Sequence, residues 1–354
     1  MRIALVVALV WCAYSWQASA CTTFGFDANG TRFMGKSYDW SEDHGMVVIN
    51  KRNIEKEALM VASSSEPLVW TSQFASITFN QHGRDFPVGG INEAGLAVEI
   101  MLGTMEQAPS SDPRKAVNEV QWIQFVLDSY GSVAEMVADV DNTRIQKLVV
   151  EAHYLVCDRF GECASAEYLD GELVLHNGRE TDLAQVFANS TYGASYDYLG
   201  EHVGFGGTKP IPTDSGSLSR FVRAAHLVKQ VNEREESQPV VTGFEIANSV
   251  AGSGVWRLVY NLERSEVTIK LGTESRGRTI NLDDFDLDCS SPTLVYDLAG
   301  NESGDITDDF QEYSITFNRR IINQSRMVPW FLKETAAKYP DTNTNCLSAR
   351  VAEH

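Results

Sequence analysis

The sequence has few basic residues, few cysteines and no long apolar run beyond its first twenty residues. Its 29 Lys and Arg stand against 48 Asp and Glu in 354 residues, which gives a formal net charge of −19. This balance excludes the broad basic surface that nucleic-acid binding requires, so we expect no nucleic-acid partner. Six cysteines are too few for a disulfide scaffold. Hydrophobic residues make up 43% of the chain, which excludes intrinsic disorder.

The first twenty residues have the pattern of an export signal. Arg2 is followed by an apolar run over Ile3–Trp11, and the stretch ends in Ala-Ser-Ala at 18–20, which signal peptidase accepts. The run is shorter than the roughly 20 residues of a membrane-spanning helix, so we expect no stable membrane insertion. The sequence therefore predicts a cleaved signal over residues 1–20, a periplasmic or secreted protein, and Cys21 as its first mature residue.

A lipoprotein acylated on Cys21 is the alternative from a different functional class. Such a protein would be a non-catalytic component of the envelope, with its α-amine blocked. The recognition sequence for lipidation normally has a larger aliphatic residue three places before the cysteine, where this chain has Ala18. The sequence therefore favours an unmodified α-amine on Cys21.

Five cysteines remain once Cys12 is removed with the signal, and an oxidising compartment favours their pairing. One candidate pair flanks a turn-like stretch between two strand-like runs, and the other would join the C-terminal segments (Cys157 with Cys163, and Cys289 with Cys346). Either pair could equally be two buried thiols. An odd count leaves one thiol over, and we expect it to be Cys21.

The order of predicted elements indicates the fold class. No linker, repeat or charge block interrupts residues 21–354, so we expect one domain. Strand-like runs come first, then helical periodicity, then strands again, without regular alternation. This order favours two antiparallel sheets with helices outside them over a doubly wound parallel sheet. The main elements predicted are a hairpin around Asn29-Gly30, helices over 117–129, 133–140 and 220–231 (the last capped by Ser217 or Ser219), and a hairpin over 256–271.

A cysteine at the mature N-terminus combines two catalytic groups in one residue. Its thiol has an ordinary pKa near ~8.5 and its α-amine one near ~7.7–8.0, so a neighbouring cation would populate the thiolate near neutral pH. The amine can then act as the base for the thiol, and no histidine is required. The sequence thus predicts Cys21 as a nucleophile.

Several short blocks resemble the choloylglycine hydrolase family. The N-terminal signature is Cys-Thr-Thr-Phe at 21–24 with Gly-Lys-Ser-Tyr-Asp-Trp at 35–40, and further blocks follow in order at 90–97, 188–190, 219–223 and 256–269. The family includes penicillin V acylases, conjugated bile salt hydrolases and acyl-homoserine-lactone acylases. The resemblance implies an α+β fold, the four-layer αββα sandwich of the N-terminal-nucleophile hydrolases, and a possible homotetramer.

The resemblance also assigns roles to four residues. Cys21 matches the nucleophile and Asp39 the carboxylate that orients its amine. Asn189 matches the side-chain donor to the oxyanion, and Arg220 the guanidinium that organises the charges of the site. Each role is physically reasonable, since an oriented acid, a neutral amide donor and a fixed cation all serve acyl transfer.

Two positions depart from the family pattern. Lys36 stands where much of the family has Arg, so it keeps a positive charge near the thiol but loses the planar fork. Leu102 stands where bile salt hydrolases have Asn and several penicillin acylases have Tyr, which bears on substrate choice. With Trp40 and Met101, Leu102 is a candidate for the acyl pocket, although ordinary core packing is the alternative for such apolar residues.

The function expected from this reasoning is hydrolysis of a linear amide C–N bond through an acyl thioester on Cys21. The substrate would be a small acyl amide, with penicillin V or N-acyl-homoserine lactones ahead of conjugated bile salts. No cofactor is expected. No metal is expected either, because the acidic stretch 283–288 lacks the spacing of a calcium-binding loop.

The secreted polypeptide should begin at Cys21, because the small residues at 18–20 direct cleavage there. Edman sequencing together with the intact mass tests this expectation. A mass for residues 21–354 with an unmodified amine supports it. A retained signal or a diacylglycerol adduct would contradict it.

Overall fold

The structure, a computed structural model, describes residues 21–59, 61–62, 64–103, 112–148, 150–177, 185–252, 254–325 and 345–347. The expected export signal lies outside these residues. The strands in the described ranges are β1 (Thr22–Ala28), β2 (Thr31–Tyr38), β3 (Met46–Asn50), β4 (Glu55–Glu57), β5 (Val69–Thr71), β6 (Ser76–Asn80), β7 (Pro87–Asn92), β8 (Leu96–Leu102), β9 (Lys115–Asn118), β10 (Thr143–Gln146), β11 (Ala152–Asp158), β12 (Cys163–Leu169), β13 (Glu172–Asn177), β14 (Val186–Phe187), β15 (Trp256–Asn261), β16 (Glu266–Leu271), β17 (Arg278–Asn281), β18 (Leu294–Asp297), β19 (Gly304–Asp305) and β20 (Gln311–Glu312).

The helices in the same ranges are α1 (Gln121–Ser129), α2 (Val133–Asp139), α3 (Tyr192–Gly200), α4 (Ser217–Asn232), α5 (Pro239–Val250) and α6 (Ile315–Gln324). In these ranges every helix is too short or too polar to cross a lipid bilayer.

Two large sheets form the centre of the fold. One has the strand order β14-β1-β2-β15-β16-β17-β19 and is antiparallel except for its last, short pair. The other has the order β13-β12-β11-β8-β7-β6-β3-β18-β20 and is antiparallel throughout. Strands β4 and β5 form one small separate ladder, and β9 and β10 form another.

Helices cover the outer face of each large sheet. Helices α4 and α5 pack on β1, β2 and β15, while α1 packs on β7 and β8. Helix α6 adds Phe317 and Ile321 to a cluster with Met46 and Val48 of β3. The inner faces of the two sheets meet through pairs such as Phe79 with Tyr260. The result is a four-layer αββα arrangement, which confirms the predicted fold class.

The N-terminal hairpin shows how local sequence sets this architecture. Asn29 and Gly30 have φ values of 56° and 86°, the left-handed pair that a tight two-residue turn requires. Strands β1 and β2 therefore pair in full register from Thr22 with Ser37 to Ala28 with Thr31. This register brings the start of β1 beside the end of β2.

The predicted helix over 220–231 is longer than expected. Helix α4 spans Ser217–Asn232, and Gly216 occupies its N-cap position. The expectation that Ser217 or Ser219 caps it was wrong. Ser217 lies inside the first turn, where its Oγ accepts hydrogen bonds from the backbone N–H groups of Asn189 and Ser190.

Both predicted cysteine pairs are present as disulfides. Cys157 and Cys163 face each other across the β11–β12 ladder, and Cys289 joins Cys346. Cys21 keeps a thiol and is buried.

Replacing Gly35 with Ala should destabilise the protein, because the ring of Phe24 crosses Gly35 from the neighbouring strand. A Cβ atom at position 35 would lie 2.3 Å from Phe24 Cζ. We expect the free energy of unfolding, measured by urea denaturation, to fall by about 1–3 kcal/mol. The matched control is Gly193→Ala in α3, where among described residues no heavy atom lies within 4 Å of the added Cβ. A Gly35→Ala variant as stable as this control would contradict the packing argument.

Candidate active site

Four residues that are far apart in sequence converge at one end of the seven-stranded sheet. Cys21 immediately precedes β1, Asp39 follows β2, and Asn189 lies just beyond β14. Because β1 runs antiparallel to both neighbours, its start lies beside the ends of β2 and β14. Arg220, in the first turn of α4, lies at the same end. Sheet topology therefore assembles the set that the sequence predicted.

Cys21 is only 2% exposed. Its Sγ lies 3.8 Å from the backbone oxygen of Asp39, which accepts the S–H hydrogen bond. A thiol at this depth is in a largely desolvated environment, where neighbouring charges act strongly on it.

Arg220 connects the cysteine to the segment that follows β14. Its Nη1 donates to the backbone oxygen of Cys21 at 2.7 Å and to Oγ1 of Thr22 at 2.6 Å. Its Nη2 donates to Oδ1 of Asn189 at 2.8 Å, and Nε donates to the backbone oxygen of Ser215 at 3.1 Å. Burial lowers the pKa of Arg220, and the nearby Cys21 and Asp39 oppose this effect. A guanidinium nonetheless stays charged in proteins, so Arg220 is a fixed cation here.

The bond from Arg220 fixes the orientation of the Asn189 amide. Arginine can only donate, so Oδ1 of Asn189 must face it and the amide NH₂ group must point the other way. One N–H of this group donates to the backbone oxygen of Leu102 at 2.7 Å. The amide has two N–H bonds, so a second donor is available for a bound substrate oxygen.

The carboxylate of Asp39 is held by backbone amides of the segment after α5. Oδ2 accepts from the N–H of Gly252 at 3.0 Å and from the hydroxyl of Ser37 at 3.4 Å. Oδ1 accepts from the N–H of Gly254. These three donors fix the direction of the carboxylate.

Lys36 is completely buried and paired. Its ammonium lies 3.4 Å from Oε2 of Glu99 and donates to the backbone oxygen of Ile100. The hydroxyl of Tyr260 donates to the other oxygen of Glu99. Burial raises the pKa of Glu99, while Lys36 and Tyr260 oppose the rise. The basic side chain expected at position 36 is therefore paired with Glu99, a carboxylate that the sequence analysis did not identify.

The three residues predicted for the acyl pocket have different surroundings. Trp40 is half-buried, with its ring 6.3 Å from the ring of Tyr38. Leu102 is also half-buried, at the end of β8. Met101 is fully buried, and its sulfur accepts the hydroxyl of Thr23, two residues after Cys21. Met101 therefore packs beneath the nucleophile strand, and substrate contact by all three residues stays a prediction.

Sequence reasoning missed two polar contributors. Ser217 anchors the backbone of Asn189, and Glu99 pairs with Lys36. Glu99 had a usable signal, because it is the acidic residue inside the otherwise apolar run of β8. Ser217 had none, since its function depends on the approach of β14. In the described ranges no group of three His, Cys, Asp or Glu side chains is arranged to hold a metal ion.

Arg220→Lys should destabilise the protein as well as disturb the site. A lysine cannot reproduce the planar fork, so at least one buried acceptor among its present partners would lose its donor. We expect the free energy of unfolding to fall by about 1–3 kcal/mol in urea titrations. The control is Arg264→Lys in the exposed turn between β15 and β16, which should change stability little. Equal stability of the two variants would contradict the bridging role.

Comparisons with known proteins agree with this geometry. Residues 21–295 match the model of the linear amide C–N hydrolases, choloylglycine hydrolase family. A penicillin V acylase from Pectobacterium atrosepticum is 27% identical over 240 residues, a match that spans 60% of this chain and 61% of that protein.

Solved structures show the same fold. Penicillin V acylase from Agrobacterium tumefaciens superposes with a TM-score of 0.73 at 23% identity, covering 83% of this chain and 98% of that one. A variant of conjugated bile acid hydrolase from Clostridium perfringens gives a TM-score of 0.62 at 17% identity, covering 83% of this chain and 97% of that one. The family match covers more than half of the chain and begins at the predicted nucleophile. The protein therefore belongs to the choloylglycine hydrolase family of linear amide C–N hydrolases.

Proposed function

We propose that the exported, mature protein begins at Cys21 and hydrolyses linear amides with an apolar acyl group, penicillin V or N-acyl-homoserine lactones. The observation that carries this proposal is the Arg220 bridge, which holds the residue bearing the thiol and the amide of Asn189 at the same place. A nucleophile and an oxyanion donor in a fixed relation are what acyl transfer requires.

The reaction takes two steps. The Cys21 thiol loses its proton to its own α-amine, and the thiolate attacks the amide carbonyl carbon. The second N–H of Asn189 donates to the oxygen as it becomes negative. The ammonium then gives its proton to the leaving nitrogen, and the C–N bond breaks to leave a thioester. In the second step the amine takes a proton from water, and the water oxygen attacks the thioester carbon. The C–S bond then breaks, the acid leaves, and the ammonium returns its proton to the Cys21 sulfur.

Asp39 and Arg220 act on the groups that react. Asp39, held by backbone amides, orients the α-amine and favours its protonated form during the cycle. Arg220 keeps the Asn189 amide from rotating, so its N–H donors are in place before the oxyanion forms. Such preorganisation lowers the barrier because no dipole has to reorient during the reaction.

Support for the substrate comes from the curated relative named penicillin V acylase, together with the apolar residue at position 102. Leu102 offers no side-chain hydrogen bond to a polar ligand, whereas bile salt hydrolases have Asn there. This difference favours an apolar acyl group over a conjugated bile salt. Export to the periplasm or beyond would expose the enzyme to amides that come from outside the cell.

A hydrolysis panel tests the proposal. Penicillin V, decanoyl-homoserine lactone and glycodeoxycholate are each incubated with the purified mature protein, and released acid and amine are measured. We expect cleavage of penicillin V or the lactone and no turnover by Cys21→Ser. We also expect Asn189→Ala to lower kcat by about 10²–10³-fold, because it removes one oxyanion donor.

The matched control is Asn301→Ala at an exposed position, which should leave kcat unchanged. Cleavage of glycodeoxycholate alone would contradict the substrate assignment. Full activity in Cys21→Ser would contradict the mechanism.

A further inference from the structure

The buried pair of Lys36 and Glu99 lies in the gap between the two sheets, beneath the nucleophile. We propose that Glu99 is a positioning residue that sets how much of the Lys36 charge reaches the Cys21 sulfur. It thereby sets the pH at which the thiolate forms. The inference rests on the proposed role of Cys21 as the reactive thiol, and it assigns a function to a carboxylate outside the residues placed in the mechanism.

The fold makes room for this carboxylate specifically. Gly89 of β7 is directly opposite Glu99 of β8, and a Cβ on Gly89 would lie 2.3 Å from the Glu99 carboxyl carbon. The carboxylate therefore lies over a glycine, where a larger residue would exclude it. Tyr260 from β15 and Lys36 from β2 reach it from the opposite sheet. Residues of β7, β15 and β2 thus define the position of the Glu99 carboxylate.

The pair lies close to the thiol along the same strand pair. Lys36 is directly opposite Thr23, and Cys21, which immediately precedes β1, is two residues before Thr23 in the chain. Tyr38 is near the pair, with the Lys36 ammonium 6.0 Å from its ring centroid. Burial raises the pKa of Tyr38, and the charges of Cys21 and Glu99 raise it further, so both groups lie within electrostatic range of this one phenol.

A lone ammonium in this position would strongly favour the thiolate. Strand geometry separates the backbone positions of Cys21 and Lys36 by about 8 Å. Two charges at about that separation, at an effective dielectric constant near 20, correspond to a shift of roughly one to one and a half pH units. Glu99 at 3.4 Å cancels much of this field. The Lys36 ammonium also donates to the backbone oxygen of Ile100, so it lies against β8.

Other charged or titratable groups also face this region. Arg220 and Asp39 lie beside the sulfur, and His153 from β11 lies within electrostatic range of Lys36. Burial lowers the pKa of His153 to about 3, so it is neutral at the pH of interest. Tyr260, Tyr38 and Glu42, which acts on Tyr38, complete the set. Exchanging Glu99 for its amide keeps all of these side chains in the protein and removes only the charge at position 99, which Tyr38 and Tyr260 also sense.

The experiment measures the pH dependence of Cys21 alkylation by iodoacetamide in the mature protein, with thiolate ultraviolet absorbance as a second readout. The four other mature cysteines are in disulfides, so alkylation reports Cys21 alone. Glu99→Gln should lower the midpoint by about one pH unit, since Lys36 is then unbalanced. Lys36→Met should raise it, and the double variant should return to within a few tenths of a unit of wild type.

Opposite shifts that cancel in the double variant are a result that simple loosening of the core would not produce. Tyr260→Phe gives a milder test. It removes a hydrogen bond that stabilises the ionised form of Glu99, so the midpoint should shift in the same direction as in Glu99→Gln. The matched control is Glu119→Gln, a buried carboxylate that accepts the backbone amides of Leu148 and Val150. It should leave the midpoint unchanged.

An unchanged midpoint in Glu99→Gln, or shifts of one sign in both single variants, would overturn the proposal. The assay needs no substrate, so its outcome is separate from that of the proposed function. A protein that cleaves none of the panel amides can still show the opposite shifts, and an active amidase can still lack them.

Discussion

The site depends on the hydrogen bonds that one buried guanidinium makes to three residues. Arg220 donates to the backbone oxygen of Cys21, to the hydroxyl of Thr22 and to the side chain of Asn189. Because arginine has no acceptor, the oxygen of the asparagine amide must face the guanidinium and the NH₂ group must face away from it. The sheet brings these residues together, but the guanidinium converts proximity into a defined geometry. The backbone oxygen of Leu102 accepts one N–H of the Asn189 amide and belongs to the same network.

Much of this could be predicted from the sequence, for identifiable reasons. The Asn29-Gly30 turn has a strong local signal, so the first hairpin and its register followed from it. The order of strands and helices favoured two antiparallel sheets, and both disulfides were among the pairings considered. Short family blocks identified Cys21 and its partners, which the structure brings together. The single domain, the export signal and the homotetramer stay predictions.

Other features depend on contacts that no local pattern encodes. The N-cap of α4 was wrongly predicted because serine is a good capping residue in isolation. In the structure the Ser217 hydroxyl instead accepts hydrogen bonds from the backbone amides of Asn189 and Ser190, which follow β14. Glu99 stands out in the apolar run of β8, but its partners Lys36 and Tyr260 come from the opposite sheet. In both cases the competing interaction comes from residues far away in the chain. Such partners emerge from tertiary packing, which overrides local preference.

The central claim is that Cys21 carries the acyl group during turnover. The most direct measurement is to mix the mature protein with penicillin V, quench it in acid within the first turnover, and map acyl groups by peptide mass spectrometry. The account predicts a phenoxyacetyl mass increase on the N-terminal peptide, located on the sulfur of Cys21. An acyl group on another residue, or product release with no acylated protein at any time, would contradict it.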